Sequence, residues 1–310
     1  MKIIVPSYYK KFKCTGSKCK HNCCIGWEID IDEDTLEKYK KAEGVFKKRF
    51  DTSILHNGEC ASFILDKEER CPFLNKDNLC DIIMEYGESY LCQICDAHPR
   101  FKNFFSDRIE IGIGLCCEEA CRIILTDNED FSLEIEENTD PCGEISRYER
   151  EIIEYRNLLI DIIKLRKFSL EERLDCLLEL TFLQMPTFSL GEWSKKLLEL
   201  EIMSKEWKKL LIKASKYKVP LTYKSYEKEF EKLFSYFIYR YIANEKYEEK
   251  EDYVVIFSVL CSQIIATLWS IFAKSEDEKI EICRLFSQEI EYSEENVESI
   301  IDIIEEYNEE

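Results

Sequence analysis

KCTGSKCKHNCCIGWEIDID (residues 13–32) is the segment around which we expect the fold to be organised. It carries four thiols, at Cys14, Cys19, Cys23 and Cys24. Thirteen of the 16 cysteines in the chain precede residue 143, and the other three are scattered through the second half. This asymmetry predicts that the first half is assembled around something that thiols hold.

A chain of 310 residues is long enough to bury a sizeable core, so the cysteines are not needed to compensate for a small one. The N-terminus MKIIVPSYYKKFK has too short an apolar stretch for a secretory signal, which predicts a cytoplasmic protein. In a reducing cytoplasm, clustered cysteines indicate metal binding or redox chemistry before disulfides.

The net charge of −20 is unevenly distributed. Residues 275–310 contain 14 acidic and two basic side chains, whereas residues 1–20 contain six lysines and no acid. Nucleic-acid binding needs a basic surface, so we expect no nucleic-acid partner. The acidic surface suits a basic or lysine-bearing protein, although a solvated, soluble surface is the simpler interpretation of each charge run.

The patterns predict a mainly α fold with a small β component. We expect a cysteine-rich metal-binding α+β domain over residues 1–142, followed by an all-helical domain with an acidic tail over residues 143–310. Residues 1–13 are predicted to form a short helix or arm. Alternation of apolar and polar residues predicts strands at 27–32, 62–65 and 108–115, and helices are predicted at 35–50, 81–90 and 117–126.

In the second half, Ser169, Ser189 and Ser275 each precede a glutamate by three residues, which predicts capping boxes at three helix starts. Residues 254–273 contain no charge over a length that could span a membrane. Polar side chains recur along one side of this segment, and both flanks are acidic. We therefore predict a buried helix of a bundle and no membrane association.

The cysteine spacing predicts a metal or cluster site. Structural zinc takes four ligands in a tetrahedron, and a [4Fe–4S] cluster also takes four thiolates, so both remain open. Six cysteines outside the tight motifs are expected to be small buried hydrophobes. They are Cys60, Cys121, Cys142, Cys176, Cys261 and Cys283.

Three ordered motifs in residues 5–125 resemble the flagellin lysine-N-methylase (FliB-like) family. They are Cys14-x4-Cys19-x3-Cys23-Cys24-Ile-Gly-Trp27, Cys71-Pro-Phe-Leu followed by Leu79-Cys80, and Tyr90-Leu-Cys92-x2-Cys95-x2-His98-Pro-Arg100. The family shares the YkgJ-like zinc- or iron-chelating cysteine-rich pattern, and the resemblance continues at Leu115-Cys116-Cys117.

This resemblance implies methylation of surface lysines on flagellin, with S-adenosylmethionine as donor and an iron–sulfur cluster, [4Fe–4S], in the cysteine-rich half. Zinc is the alternative metal. Eight motif positions carry over from the family as metal ligands, and Cys92 joins them through its tight spacing to Cys95. The expected ligands are Cys14, Cys19, Cys23, Cys24, Cys71, Cys80, Cys92, Cys95 and Cys117.

Six side chains near the thiols are candidates for contact with the reactants: Trp27, Glu28, Asp30, Tyr90, Arg100 and Glu119. Carboxylates could hold cationic reactants, and an aromatic face could contact a methylsulfonium group. Each also has an ordinary interpretation as a core or surface residue. Gly112-Ile-Gly114 lies inside a strand pattern and indicates packing, so a Rossmann-type methyltransferase is not expected. The alternatives to an enzyme are a non-catalytic metal-organised interaction module and a redox protein.

Overall fold

The structure is a computed structural model that describes residues 2–58, 60–138 and 143–309. The chain divides into two compact units, which we name the cysteine-rich unit (residues 13–100 and 117–119) and the helical unit (residues 1–12, 101–116 and 120–310). The predicted boundary between residues 142 and 143 adjoins residues 139–142, which lie outside the described residues, and it stays a prediction. Strands at Lys2–Pro6 and Arg108–Ile113, from the first half of the chain, are grouped with the helical unit.

The mainly α class with a small β component is confirmed. In the described part of the chain the strands are β1 (Lys2–Pro6), β2 (Ile54–Asn57), β3 (Cys60–Phe63), β4 (Arg100–Phe104), β5 (Arg108–Ile113) and β6 (Leu133–Asn138). They form a four-stranded sheet in the order β4-β5-β1-β6 and the two-stranded hairpin β2-β3. Strand β1 pairs parallel to β5 and antiparallel to β6, with a register shift between Ile3 and Ile4.

Helices account for most of the remaining described structure. They are α1 (Glu33–Lys40), α2 (Gly44–Ser53), α3 (Asp81–Tyr86), α4 (Gln93–Ala97), α5 (Glu118–Thr126), α6 (Arg147–Ile163), α7 (Leu170–Thr181), α8 (Leu190–Glu199), α9 (Lys205–Ala214), α10 (Glu227–Tyr241), α11 (Glu251–Phe272), α12 (Glu276–Phe286) and α13 (Glu294–Glu309). Short 3₁₀ turns span Tyr9–Lys11, Gly16–Lys18, Glu88–Tyr90 and Glu245–Tyr247, and a π-helical turn spans Ser287–Glu291. Over residues 143–309 every regular element is helical, as predicted.

The prediction for the N-terminus was wrong. Residues 2–6 form an inner strand of the sheet instead of a helix or arm, because Ile3, Ile4 and Val5 are β-branched and the last two are buried. This apolar run was not recognised as a strand because it is short and is flanked by lysines and tyrosines. Strands β2, β4 and β6 were not predicted either.

Two predicted elements of the cysteine-rich unit need correction. Residues 27–32 form no regular strand: Trp27 lies in a bend, and Asp30 makes an isolated bridge to Ser62. The predicted helix over residues 35–50 is two helices, which separate before Gly44, a glycine with a positive φ of 65°. Asp32 caps the first of these helices, because its side chain accepts a hydrogen bond from the N–H of Thr35.

Helix α11 is long and apolar enough to cross a membrane by length and composition alone, and 83% of its most apolar window is buried inside the protein. Its polar side chains are satisfied internally. The hydroxyls of Ser258 and Ser262 donate to the carbonyls of Val254 and Ser258, and that of Thr267 donates to the carbonyl of Gln263. The prediction of a buried helix is confirmed.

Capping boxes begin helices α7 and α8 at Ser169 and Ser189, as predicted. At Ser275 the hydroxyl accepts the N–H of Glu278. A capping box that was not predicted begins α6, where Glu149 accepts from the N–H groups of both Ser146 and Ser106. Partial burial alone would raise the pKa of Glu149, but these hydrogen bonds hold it at about 2.

We predict that Glu149→Gln lowers the free energy of unfolding by about 1 kcal/mol at neutral pH, because the charged acceptor of the capping box is lost. The folded-state pKa is depressed from 4.5 to about 2, so the stabilisation is present above pH 4.5 and is lost as the pH falls towards 2. Urea unfolding across this range should show the difference between wild type and variant shrinking. Glu151→Gln, at an exposed residue paired with Arg147, is the control.

Gly112 in β5 is required for packing, as its position in a strand pattern indicated. A Cβ at this position would lie 2.2 Å from Cζ of Phe101. We predict that Gly112→Ala lowers the free energy of unfolding by about 3 kcal/mol, because the ring has to move. Chemical denaturation measures the loss, and the double variant with Phe101→Leu should recover part of it. An unchanged midpoint for Gly112→Ala would contradict the assignment.

Candidate metal centre

Backbone hydrogen bonds bring the cysteine loops together within the cysteine-rich unit. The N–H of Cys71 donates to the carbonyl of Cys24 at 2.8 Å, so these two residues are neighbours on adjacent segments. An isolated bridge between Leu74 and Cys80 closes the following loop and returns Cys80 towards Cys71. The sequence folds this way because Asn75 and Asn78 form a tight turn, in which Asn78 adopts a positive φ of 57°.

The pair Cys92 and Cys95 is presented by the start of α4. Cys92 caps the helix and Cys95 lies one turn further on, with its N–H donating to the Cys92 carbonyl at 3.0 Å. Tyr39 fixes the preceding segment, because its hydroxyl donates to the carbonyl of Tyr90 at 2.9 Å. The ring of Tyr39 in turn stacks on Phe50 with centroids 4.0 Å apart.

An aromatic core supports these thiols. Cys71 and Cys92 belong to the buried cluster that also holds Tyr39, Phe63 and Phe73, and three further thiols pack against it. These three are Cys24, Cys80 and Cys95. The thiols are therefore placed by packed side chains as well as by loop geometry.

Six sulfurs interact electrostatically with one another. We name them the thiol cluster: Cys23, Cys24, Cys71, Cys80, Cys92 and Cys95. A hydrogen bond to Cys23, burial, and the neighbouring thiols of Cys71 and Cys80 raise the pKa of Cys24. Burial raises the pKa of Cys71 to about 11, with Cys80 and Cys92 contributing.

Backbone amides are directed at several of these sulfurs. The N–H groups of Phe73 and Leu74 hydrogen-bond Cys71 and oppose the effect of burial on its pKa, and two amides in α3 do the same for Cys80. Donation from the Cys24 thiol lowers the pKa of Cys23 to about 7. N–H···S hydrogen bonds stabilise thiolates and tune thiolate-bound metals, so the donor set suits a thiolate-binding metal.

Among residues 2–58, 60–138 and 143–309, no three His, Cys, Asp or Glu side chains stand in an arrangement that could hold a metal ion. The thiol cluster is thus a convergence of donors and not a formed coordination shell. Its chemistry, six thiols with amide donors in a partly buried setting, fits a soft or borderline metal.

The remaining predicted ligands are Cys14, Cys19 and Cys117, of which Cys19 adjoins the thiol cluster through its interaction with Cys23. Cys14 is exposed and its sulfur accepts the N–H of Gly16 at 3.4 Å. Cys19 is half-buried, and its sulfur lies 3.9 Å from Oε2 of Glu118, which follows the half-buried Cys117 in the chain. Burial raises the pKa of Cys19, and the proximity of Glu118, Cys23 and Cys14 adds to the effect.

Of the cysteines expected to be small buried hydrophobes, Cys121, Cys261 and Cys283 are buried as predicted. The prediction was wrong for Cys60 and Cys176, which are exposed, because a strand end and a solvent-facing helix position carry them. Cys142 lies outside the described residues.

The candidate reactant-contacting residues have mixed environments. Trp27 packs edge-on against His98, with ring centroids 6.2 Å apart. Burial and the nearby Arg100 lower the pKa of His98 to about 4, so this imidazole is neutral at physiological pH. Tyr90 stacks on Tyr86 with centroids 4.5 Å apart.

The other candidates are less enclosed. Glu28 and Asp30 are exposed on either side of the buried Ile29. Arg100 donates to the carbonyl of Asp96 at 3.3 Å, and Glu119 is half-buried in α5.

An open acidic cleft of about 290 Å³ adjoins the Cys92 segment. Sequence reasoning missed it, because distant segments supply its walls. Asp32 accepts N–H groups from Thr35 and Gln93, which hold its pKa low against the effect of partial burial. The cleft is lined by Asp32, Asp34, Thr35, Lys38, Glu88, Ser89, Leu91, Gln93 and Asp96. A cleft with four carboxylates and one ammonium group attracts cations.

Comparison with known proteins finds relatives that match part of the chain. The chain is 27% identical over 141 residues to a Lysine-N-methylase of Salmonella typhimurium (strain LT2), which covers 41% of this chain and 33% of that protein. A Lysine-N-methylase of Salmonella choleraesuis matches to the same extent. Flagellar biosynthetic protein FliU of Salmonella muenchen is 28% identical over 134 residues, covering 41% of this chain and 79% of that protein.

The match spans about a third of the length of these lysine-N-methylases. No family model matches the chain, and no solved structure matches it. Over 41% of its length the chain is therefore similar to proteins named for lysine methylation and for flagellar biosynthesis.

Proposed function

We propose that this chain is a cytoplasmic protein-lysine N-methyltransferase that transfers methyl groups from S-adenosylmethionine to surface lysines of flagellin. The observation that carries the proposal is the similarity to two proteins named Lysine-N-methylase, supported by the flagellar name of a third relative. The converging thiols and the acidic cleft supply features that such a reaction can use.

We propose that the thiol cluster, with Cys14, Cys19 and Cys117 as further donors, holds an iron–sulfur cluster, with zinc as the alternative. Such a group would supply positive charge that neutralises the crowded thiolates and would hold the loops of the cysteine-rich unit together. Its support is the donor set itself, which brings six sulfurs into mutual interaction and directs backbone amides at several of them.

Methyl transfer makes a bond between the lysine nitrogen and the methyl carbon and breaks the bond between that carbon and the donor sulfur. A lysine with its ordinary pKa of about 10.4 is almost fully protonated at pH 7, so it has to lose a proton first. Desolvation beside the cationic sulfonium lowers the pKa of the amine and releases the proton to water. The donor then leaves as a neutral thioether.

The acidic cleft is the proposed entry for the substrate lysine. Exposed carboxylates at Asp34, Glu88 and Asp96 attract an incoming ammonium group without holding it in a buried ion pair. Tyr90 adjoins the cleft in sequence and offers an aromatic ring for the aliphatic part of the lysine or for the methylsulfonium. Trp27, Glu28, Asp30, Arg100 and Glu119 stay candidates for contact with the reactants.

Neutralising the cleft is expected to weaken substrate capture. We predict that the double variant Glu88→Gln with Asp96→Asn raises KM for flagellin about tenfold and changes kcat little, because two exposed charges act mainly before the chemical step. Steady-state kinetics at low salt measures both constants. The control is Glu68→Gln with Asp77→Asn, two exposed acids of the same unit outside the cleft. Equal KM values for both double variants would refute the assignment of the cleft.

Mass spectrometry tests the function directly. The protein, purified without oxygen, is incubated with flagellin and S-adenosylmethionine, and the intact mass and peptides of flagellin are measured. We expect increments of single methyl groups on lysines, which disappear without donor or when the flagellin lysines are acetylated beforehand. If flagellin stays unmodified in the presence of metal-loaded protein, the proposed enzymatic activity is rejected. A non-catalytic, metal-organised interaction module would then be the better interpretation.

A further inference from the structure

A lysine-rich surface lies on the helical unit. Residues 205–219, which comprise helix α9 and the segment after it, contain six lysines and one glutamate in a chain whose net charge is −20. The other side of α9 is buried, where the rings of Trp207 and Phe286 have centroids 5.9 Å apart. We name the exposed side the lysine face. It consists of Lys205, Lys208, Lys209, Ile212, Lys213, Lys216, Tyr217, Lys218 and Val219.

The lysines are gathered around one exposed apolar side chain. At 3.6 residues per turn, five exposed side chains of α9 project from an arc of about 140° around the helix axis. They are Lys205, Lys208, Lys209, Ile212 and Lys213. Ile212 lies near the middle of this arc, with lysines three and four positions before it and four positions after it.

The lysine face makes few ion pairs, unlike other lysines of the helical unit. Lys10 and Lys246, for example, each lie within 3.3 Å of two carboxylates. On the lysine face, the one ion pair among the described residues joins Lys209 to Glu206 at 3.8 Å, and both side chains are exposed. An exposed pair of this kind contributes little. The face therefore keeps most of its positive charge for a partner that carries negative charge.

The composition of the face disfavours two classes of anionic partner. Residues 205–219 contain no arginine, asparagine or glutamine, so the face lacks the side chains that most often recognise the edges of bases. Arginine is also the residue that holds carboxylates in a fixed two-point geometry, and lysine is depleted at protein–protein interfaces. Neither a nucleic acid nor an acidic protein is therefore the partner that this face fits best.

Exposed apolar side chains among the lysines favour a lipid surface. Ile212, Tyr217 and Val219 are 45, 40 and 37% exposed. Apolar and aromatic side chains flanked by lysines suit the boundary between lipid headgroups and acyl chains, because the lysine stems extend past them to the charged headgroups. Clustered lysines of this kind bind anionic leaflets.

We propose that the lysine face binds the surface of an anionic lipid bilayer. The ammonium groups contact the headgroups, and Ile212 and Val219 enter the interface. The association is peripheral, because the apolar side of α9 is buried in the protein. The expectation of no membrane association, drawn from residues 254–273, concerned a membrane-spanning helix, and that helix is buried as well.

The acidic remainder of the chain does not prevent this contact. At physiological ionic strength, charges further than about 8 Å from the bilayer are largely screened, so the local charge of the face decides the interaction. The inference does not depend on the proposed methyl transfer.

The test is sedimentation of the full chain with lipid vesicles. Vesicles of phosphatidylcholine alone are compared with vesicles that also contain phosphatidylglycerol, at low and at physiological salt. We expect binding to the anionic vesicles only, with a partition coefficient that falls as the salt concentration rises. No binding to the anionic vesicles at low salt overturns the inference.

Two double variants with equal loss of charge test whether this face is the one that binds. Lys208→Gln with Lys213→Gln neutralises part of the lysine face and keeps a good helix former at both positions. Lys102→Gln with Lys167→Gln removes two exposed lysines from other elements of the helical unit. We expect the first pair to lower the partition coefficient roughly tenfold and the second to change it by less than about twofold. Equal losses overturn the assignment to the lysine face.

Ile212→Ser separates a bilayer from a soluble polyanion. We expect this variant to bind anionic vesicles more weakly and to keep the wild-type affinity for duplex DNA and for polyglutamate, because only a bilayer accepts the apolar side chain. Vesicle binding that Ile212→Ser leaves unchanged overturns the choice of a membrane, and so does tighter binding of the wild type to DNA or polyglutamate than to vesicles. Each of these results leaves the proposed methyl transfer standing, because that reaction is measured on flagellin without vesicles.

Discussion

Serine in place of Cys71 is expected to remove the proposed metal from the cysteine-rich unit and to unfold that unit. Cys71 is only 7% exposed, packs in the aromatic core and interacts with the thiols of Cys24, Cys80, Cys92 and Cys95. A serine hydroxyl is a poor ligand for the metals that thiolates bind. Metal binding to structural thiolate sites contributes on the order of 10 kcal/mol to folding, which is comparable to the whole stability of a typical domain.

Elemental analysis and hydrogen exchange of residues 13–100 measure this outcome. The control is Cys60→Ser, because Cys60 lies in the same unit on β3 and is exposed. We expect Cys60→Ser to keep both the metal and the slow exchange of the unit. A Cys71→Ser protein with wild-type metal content and protection would show that this thiol is an ordinary core residue.

The second large effect is expected at the buried pair of Arg156 and Glu110. The guanidinium donates twice to the carboxylate, from α6 to β5, and both side chains are at most 1% exposed. Arg156 also lies 5.3 Å from the ring centroid of Tyr239. We predict that Arg156→Met lowers the free energy of unfolding of the helical unit by about 3–5 kcal/mol, because it leaves Glu110 as an unpaired buried carboxylate.

Denaturant unfolding of a double-mutant cycle separates this penalty from the value of the pair. Glu110→Leu combined with Arg156→Met removes both charges, and we expect it to be more stable than Arg156→Met alone. If the double variant were less stable than either single variant, the pair would be contributing net stability and the explanation through an unpaired charge would be wrong.

Helical architecture was predictable because its signals are local. The serine and glutamate of each capping box lie three residues apart, and residues 254–273 combine length, apolar character and recurrent hydroxyls in one run. The convergence of the thiols could also be predicted in part. Pairs such as Cys23–Cys24 and Cys92–Cys95 are close in sequence and therefore stay close in space, whatever conformation their loops adopt.

Features that depend on distant segments were missed. Strand β1 was not recognised because its pairing with β5 joins residues about a hundred positions apart, as Lys2 with Arg108. The acidic cleft combines residues 32–38 with residues 88–96, and no pattern in either segment indicates that the two are neighbours. The buried contacts of Glu291 with Tyr236, Arg240 and Tyr241 were missed for the same reason, because these three partners lie on α10, about fifty positions away, among residues that are mostly apolar and buried.

X-ray absorption at the iron and zinc edges of the full chain, purified without oxygen, tests most directly whether the sulfurs of separate loops meet around a metal. We predict a first shell of sulfur at about 2.3 Å, the distance typical of metal–thiolate bonds. Cys71→Ser should reduce or remove this shell, and Cys60→Ser should leave it unchanged. A preparation free of both metals, or a first shell made only of oxygen and nitrogen, would contradict the proposal that the thiol cluster binds a metal.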